Sequence, residues 1–153
     1  MGSMTTERNR TTILRFFGEV MGAGDLDLLD ELAIENYEDH VALPGQGLGR
    51  QGLKHRVARI RAAFQPRQRL HDVIVDADSI AVRWSLSGVH SAEFMGLPPT
   101  GKRVEFDGVD MYLMREGRMA AHWNVVDMWA FYRQVARIQV GRIIDHQEEN
   151  RGV

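Results

Sequence analysis

The feature that most constrains this chain is a change of hydrophobic period near Pro66. Up to that point apolar residues recur at helical spacing. Ile13, Phe16, Phe17, Val20 and Met21 fall at offsets 0, 3, 4, 7 and 8, the stripe of a core-facing helix over Thr5 to Met21 that Gly22 and Gly24 end. Asp25 is placed to cap a short second helix through Leu26, Leu28, Leu29 and Leu32, because its carboxylate can accept the free N–H groups of a first turn. Tyr37 to Val41 reads as extended. After the loop of Pro44, Gly45, Gly47 and Gly49, a third helix is marked by Leu53, Val57, Ile60 and Phe64. Beyond Pro66 the period shortens toward two, predicting antiparallel strands over about 68–76, 79–93, 102–115 and 118–126. A final helix is expected from Asp127, with Met128, Phe131, Tyr132, Val135 and Ile138 on its buried stripe. Helices, then a long antiparallel sheet, then one helix is an α+β order; a parallel βαβ protein would alternate the two. Strands of this length bend around the helices and leave a concave face that can enclose a pocket.

The size of the chain fits one domain, expected over 4–144. At 153 residues a single core can bury roughly two-thirds of the unfolded surface. Met1-Gly2-Ser3 ahead of Met4 reads as a cloning remnant, and 145–153 as a flexible polar tail. The net charge of -2 with interspersed signs offers no broad cationic face, so nucleic acid is not an expected partner. No apolar run reaches the ~18 residues of a membrane span, and cytoplasmic location is the expectation. The absence of cysteine rules out disulfides and thiolate chemistry. Histidines 40, 55, 71, 90, 122 and 146 lack HxH or HExxH spacing, and no phosphate-binding glycine motif is present, so neither metal nor cofactor is expected.

Alternation sets Phe106, Gly108, Asp110 and Tyr112 on one face of their strand, and Ala120, His122, Asn124 and Val126 on one face of the next. With both faces inward, four polar groups converge in an apolar cavity. Asp110 ranks first as acid or base, since a carboxylate on the inward face of a strand is poorly solvated and takes up a proton more readily. His122 can shuttle a proton near neutral pH. The Tyr112 phenol and Asn124 amide suit donation to a carbonyl or enolate oxygen. Against this stands a plainer reading, in which Asp110 merely orients His122 and the rest is packing. Trp84 shares a face with Leu86 and is expected to line the cavity; His90 is expected at its rim or in an interface. Trp123 points the opposite way, as a sheet-packing or dimer residue would, and Asp127 reads as the N-cap of the last helix.

The run Gly88-Val89-His90-Ser91-Ala92-Glu93-Phe94-Met95-Gly96-Leu97-Pro98-Pro99-Thr100-Gly101-Lys102, followed by Phe106, Gly108, Val109 and Asp110, then by Glu116-Gly117-Arg118 and Ala121-His122-Trp123-Asn124-Val125-Val126-Asp127, resembles the SnoaL-like polyketide cyclases of the nuclear transport factor 2-like superfamily. The resemblance extends from the first helix to about Val135. It implies a conical α+β barrel with a deep apolar pocket, a small hydrophobic substrate, and a homodimer packed through the sheet. Family members include aldol cyclases of aromatic polyketide pathways; more distant relatives isomerise ketosteroids or open epoxides. The aldol cyclases carry an acid/base aspartate on the final strand where this chain has Asn124, and a pocket histidine where it has Tyr112. The resemblance also sets Tyr37, Asp39 and His40 at the pocket mouth, although a solvated loop is the simpler reading of the last two. Three functions follow as expectations: cofactor-free ring closure or isomerisation of a hydrophobic carbonyl compound; epoxide opening between Asp110 and Asp39; and a non-catalytic container for a hydrophobic ligand.

Overall fold

The computed structural model describes residues 2–136. The expectations for Ile138 and for the tail at 145–153 lie outside the described residues. The first helix, α1 (Gly2–Arg15), begins at Gly2 and continues without a break into a π-helical segment, Phe16–Gly22. All five residues of its apolar stripe are buried. A 3-10 turn, Leu26–Leu28, follows, and the Asp25 side chain accepts from the Leu28 N–H as its cap. The turn leads into a short α2 (Leu29–Leu32), strand β1 (Ala33–Asp39), α3 (Gly49–Phe64), β2 (Arg67–Val75), β3 (Ser79–Val89), β4 (Arg103–Arg115) and β5 (Arg118–Val126). A last helix, α4, starts at 128 and runs through 136, with the Asp127 carboxylate accepting the Ala130 N–H at 2.9 Å.

The strands form one sheet in the order β1-β5-β4-β3-β2, all antiparallel except the β1–β5 pair, which is parallel. The sheet is mixed and not closed: β1 and β2 are its two edges. Strand β4 shows why the period of two was readable. Val104, Phe106, Gly108, Asp110, Tyr112 and Met114 are buried, whereas Arg103, Glu105, Asp107, Val109 and Met111 face outward. The Glu116-Gly117 connection has positive φ at both residues, the geometry that matches strand twist in a two-residue hairpin.

Two sequence expectations shift. The extended piece expected over 37–41 is strand β1 at Ala33–Asp39, because its register is set by pairing with β5 and not by local pattern. The strand expected to reach residue 93 stops at Val89. There Ser91 N–H turns to the carbonyl of Ala63, one of the free carbonyls at the end of α3, and the chain leaves the sheet. Gly88 permits that approach, since a Cβ there would lie 2.2 Å from the Phe64 carbonyl oxygen.

The core lies between the sheet's concave face and the helices. Phe64, Phe94, Phe106 and Phe131 meet edge to face at its centre, with ring centroids 4.8–5.8 Å apart. Among the described residues no helix is long and apolar enough to cross a membrane.

Candidate active site

Between the sheet and the helices lies a cavity of about 220 Å³. Its wall is mainly apolar, with Phe16, Phe17 and Met21 from the first helical stretch, Leu53, Val57 and Ile60 from α3, and Trp84, Leu86 and Phe106 from the sheet. Most of its polar groups are Asp110 and Tyr112 from β4, His122 and Asn124 from β5, Tyr37 from β1 and Arg56 from α3, and Gln68 from β2 lines it as well. The β4–β5 register places Asp110 opposite Asn124 and Tyr112 opposite His122, so all four point the same way, as the alternation requires.

His122 stands between two carboxylates. Its Nδ1–H donates to Asp39 Oδ1 at 3.1 Å, and its Nε2 lies 3.5 Å from Asp110 Oδ1 without hydrogen-bond alignment. Burial opposes charge on the imidazole, but Asp110 and Asp39 outweigh it and raise the pKa above the usual histidine value. Asp39 is the buried counter-charge. Its Oδ1 also accepts the Val41 N–H at 3.1 Å, and its Oδ2 accepts from Gln46 Nε2 at 2.8 Å and Arg56 Nη1 at 3.4 Å. Burial would raise its pKa, yet the hydrogen bond from His122, the Arg56 charge and the Gln46 amide together hold it well below the carboxylate range.

Tyr112 donates its hydroxyl to Asp110 Oδ2 at 3.1 Å and stacks on the His122 ring at 4.9 Å between centroids. Burial and the neighbouring Asp110 push its pKa well above ten. Tyr37 is shifted the same way by burial and by Asp39, so it remains a hydroxyl donor. Asp110 Oδ1, His122 Nε2, Tyr37 Oη, Trp84 Nε1 and Gln68 Oε1 are buried on residues that line the cavity, and none of them has a hydrogen-bond partner among the described residues. Such atoms cost about 1–3 kcal/mol each when left unsatisfied. Unsatisfied polar atoms in the lining of a cavity are what a site awaiting a polar ligand looks like.

The remaining expected site residues divide. Phe106 and Trp84 line the cavity. Asp39 is not a solvated loop residue: its side chain is only 6% exposed and sits behind His122. His40 lies on the surface, stacked on Trp123 at 4.4 Å, away from the cavity wall. His90 is neither rim nor interface. It is fully buried beside Phe64 and Phe131, and its Nδ1 pairs with Thr100 Oγ1 at 3.1 Å. Sequence reasoning missed Gln46 and Arg56. Arg56 had a readable signal: with Leu53, Val57 and Ile60 it completes the offsets 0, 3, 4 and 7, a cation set on an apolar stripe.

The sequence profile of the SnoaL-like polyketide cyclases matches residues 11–135, which includes every element that builds the cavity. The chain belongs to the SnoaL-like polyketide cyclase family. Solved structures agree in fold. IdmH of Streptomyces antibioticus, proposed to be a polyketide cyclase, is 28% identical at a TM-score of 0.70, covering 84% of this chain and 98% of its own. A proposed polyketide cyclase of Acidithiobacillus ferrooxidans is 26% identical at 0.73, covering 85% and 95%. AclR of Streptomyces galilaeus, proposed to be a hydroxylase, superposes at 0.71 with 18% identity over 86% and 98%. No curated protein matches the sequence. Within this SnoaL-like architecture proteins with different proposed chemistries share one fold, so the reaction has to be argued from the side chains.

Proposed function

We propose that this protein is a cofactor-free acid–base catalyst that closes or isomerises a ring in a hydrophobic carbonyl compound. One observation carries the reading: Asp110 Oδ1 and His122 Nε2 lie side by side at the cavity wall, 3.5 Å apart, buried and without other partners among the described residues. Asp110 Oδ1 removes a proton from the carbon next to the carbonyl. Protonated His122, backed by Asp39, delivers a proton to the carbonyl oxygen; the resulting enol then either attacks a second carbonyl, whose oxygen takes the proton from Asp110, or takes the Asp110 proton at another carbon, and in both cases the enol hydroxyl returns its proton to His122. Tyr112 fixes Asp110 through Oδ2 and leaves Oδ1 free; since its own proton is committed there, it positions the base, and the oxygen donors are His122 and the Asn124 amide. General acid–base assistance of this kind is worth about 10²–10⁴-fold. Asp110→Asn is therefore expected to lower turnover by that factor with folding intact; unchanged turnover in both Asp110→Asn and His122→Ala would remove the assignment.

Epoxide opening between two carboxylates is less well supported. Asp39 has both oxygens occupied, and its depressed pKa leaves it without a proton to give. A container for an inert ligand has no use for a buried base and acid left unsatisfied.

The partner we propose is a second copy of the chain, seated on the outer sheet face. Val109 pairs with Val125 and Met111 with Trp123 across β4 and β5, and all four side chains are exposed as a continuous apolar strip. Light scattering is expected to give a dimer that Met111→Lys with Val125→Glu converts to monomer; a monomeric parent protein would overturn this.

A further inference from the structure

The cavity carries a second, separate set of unsatisfied polar atoms. On β3 the Trp84 indole is buried, and its Nε1–H, which can only donate, has no partner among the described residues. On β2 the Gln68 Oε1 is likewise buried, with no hydrogen-bond partner among the described residues. The β2–β3 register sets Gln68 opposite Leu86 and Leu70 opposite Trp84, so Gln68 and Trp84 are diagonal neighbours on the inward face, within reach of long side chains. The indole is held in place by its floor. Gly108 is its cross-strand partner, and a Cβ there would lie 2.3 Å from Trp84 Cζ2, so the ring occupies the space that any other residue would fill. With strands 4.8 Å apart and a rise of 3.4 Å per residue, the Trp84 Cα lies about 8 Å from that of Asp110. Gln68 is the far member of the pair: it lies in line with Leu86 and Phe106, two strands over and four residues along from Asp110, so by the same spacings its Cα is about 17 Å away. The charged residues lining the cavity, Arg56, Asp110 and His122, come from the other elements.

We infer that Trp84 Nε1 and Gln68 form a second polar subsite that receives an uncharged oxygen of the substrate at the end opposite the reacting carbonyl. A donor-only indole selects an acceptor atom, and an amide, which can turn to present either its oxygen or its NH₂, completes the pairing for a hydroxyl or a second carbonyl. A dry cavity of about 150 Å³ accepts benzene. The larger volume here suits roughly a two-ring compound of ten or so heavy atoms. The substrate class is therefore a compact, neutral, two-ring-sized ketone with a second oxygen on its far side. The inference rests on the acid–base reading only in that both place the substrate in this cavity.

The test uses the full chain and two probes, 1-tetralone and 6-hydroxy-1-tetralone, which differ by the far oxygen. The hydroxy compound is expected to bind about 3- to 10-fold tighter, the span of one hydrogen bond to a buried neutral donor. Trp84→Phe, which keeps a ring, and Gln68→Leu are each expected to erase that preference, read as the ratio of the two probes' affinities in the same variant. In nitrogen-15 spectra the Trp84 indole signal, distinct from those of the exposed Trp123 and Trp129, is expected to move downfield with the hydroxy compound and little with 1-tetralone. Binding of neither probe, no preference in the parent protein, a preference that survives both substitutions, or an unmoved indole signal overturns the subsite. Exchange of the ketone's α-hydrogens with D₂O reports on the other reading: exchange no faster than with Asp110→Asn would remove the acid–base assignment while the binding preference still upheld the subsite.

Discussion

Two buried histidines sit at opposite ends of the same interior, and their surroundings give them opposite properties. His122 has a carboxylate on each side, a tyrosine ring stacked on its face, and a ring nitrogen at the cavity wall. His90 is enclosed by the Phe64 and Phe131 rings, pairs with Thr100, and lies off the wall. Burial works against charge on both. At His90 it prevails and lowers the pKa; at His122 the paired carboxylates reverse it. Burial alone therefore does not make a histidine useful for chemistry. The groups across from it, and an open side facing the ligand, do.

The comparison can be broken most directly by making the same substitution twice. His122→Gln, which cannot carry a proton, is expected to cut turnover by about 10²–10⁴-fold. His90→Gln is expected to leave the rate per folded molecule within a few-fold, and equal losses at the two positions would dissolve the distinction. Next in size is the effect of the hidden carboxylate on stability. Asp39→Asn leaves Arg56 without its buried partner and is expected to cost about 3–5 kcal/mol in denaturant unfolding, the range for breaking one side of a buried pair. The last effect is in how stability varies with pH, and its sign follows from the two shifts. The His122 pKa is raised, so its contribution is complete below the unfolded value of about 6.5 and is lost as pH rises through the folded value. The Asp39 pKa is lowered, so its contribution is complete above the ordinary 3.8 and is lost as pH falls through the folded value. Stability measured from acid to alkali should thus show two slopes, and His122→Gln should flatten the upper one.

Much of this was legible in the sequence, for an identifiable reason. Period-two alternation over β4 and β5 fixes faces locally, so Asp110, Tyr112, His122 and Asn124 could be placed inward from residue order alone. The division of labour among them could not. That Tyr112 gives its proton to Asp110, and so positions the base, depends on side-chain rotamers. Asp39 was readable only as part of a short polar segment, because its burial arises from parallel pairing of β1 with a strand some 80 residues later, a contact without a local signature. Gln46 was hidden similarly inside a glycine-rich loop. His90 was misplaced because the strand was extended past Val89, and what ends it is a hydrogen bond to the end of α3 that neither segment announces. Gly108 stood in the pattern as a small inward residue, and only the coordinates reveal that its missing side chain is the seat of the Trp84 indole.

The carboxylate that tunes His122 hangs from an edge strand and is gripped from behind by Gln46 of the following loop and Arg56 of α3. Gln46 touches that carboxylate without lining the cavity, whereas Val41 and Leu43 of the same loop, and Arg56, line it. A change at Gln46 can retune the acid while the walls that judge substrate size stay as they are, and changes at Phe16, Phe17 or Leu86 can admit a new guest without touching the acid. A scaffold wired in this way can alter what it accepts and how strongly it protonates in separate evolutionary steps.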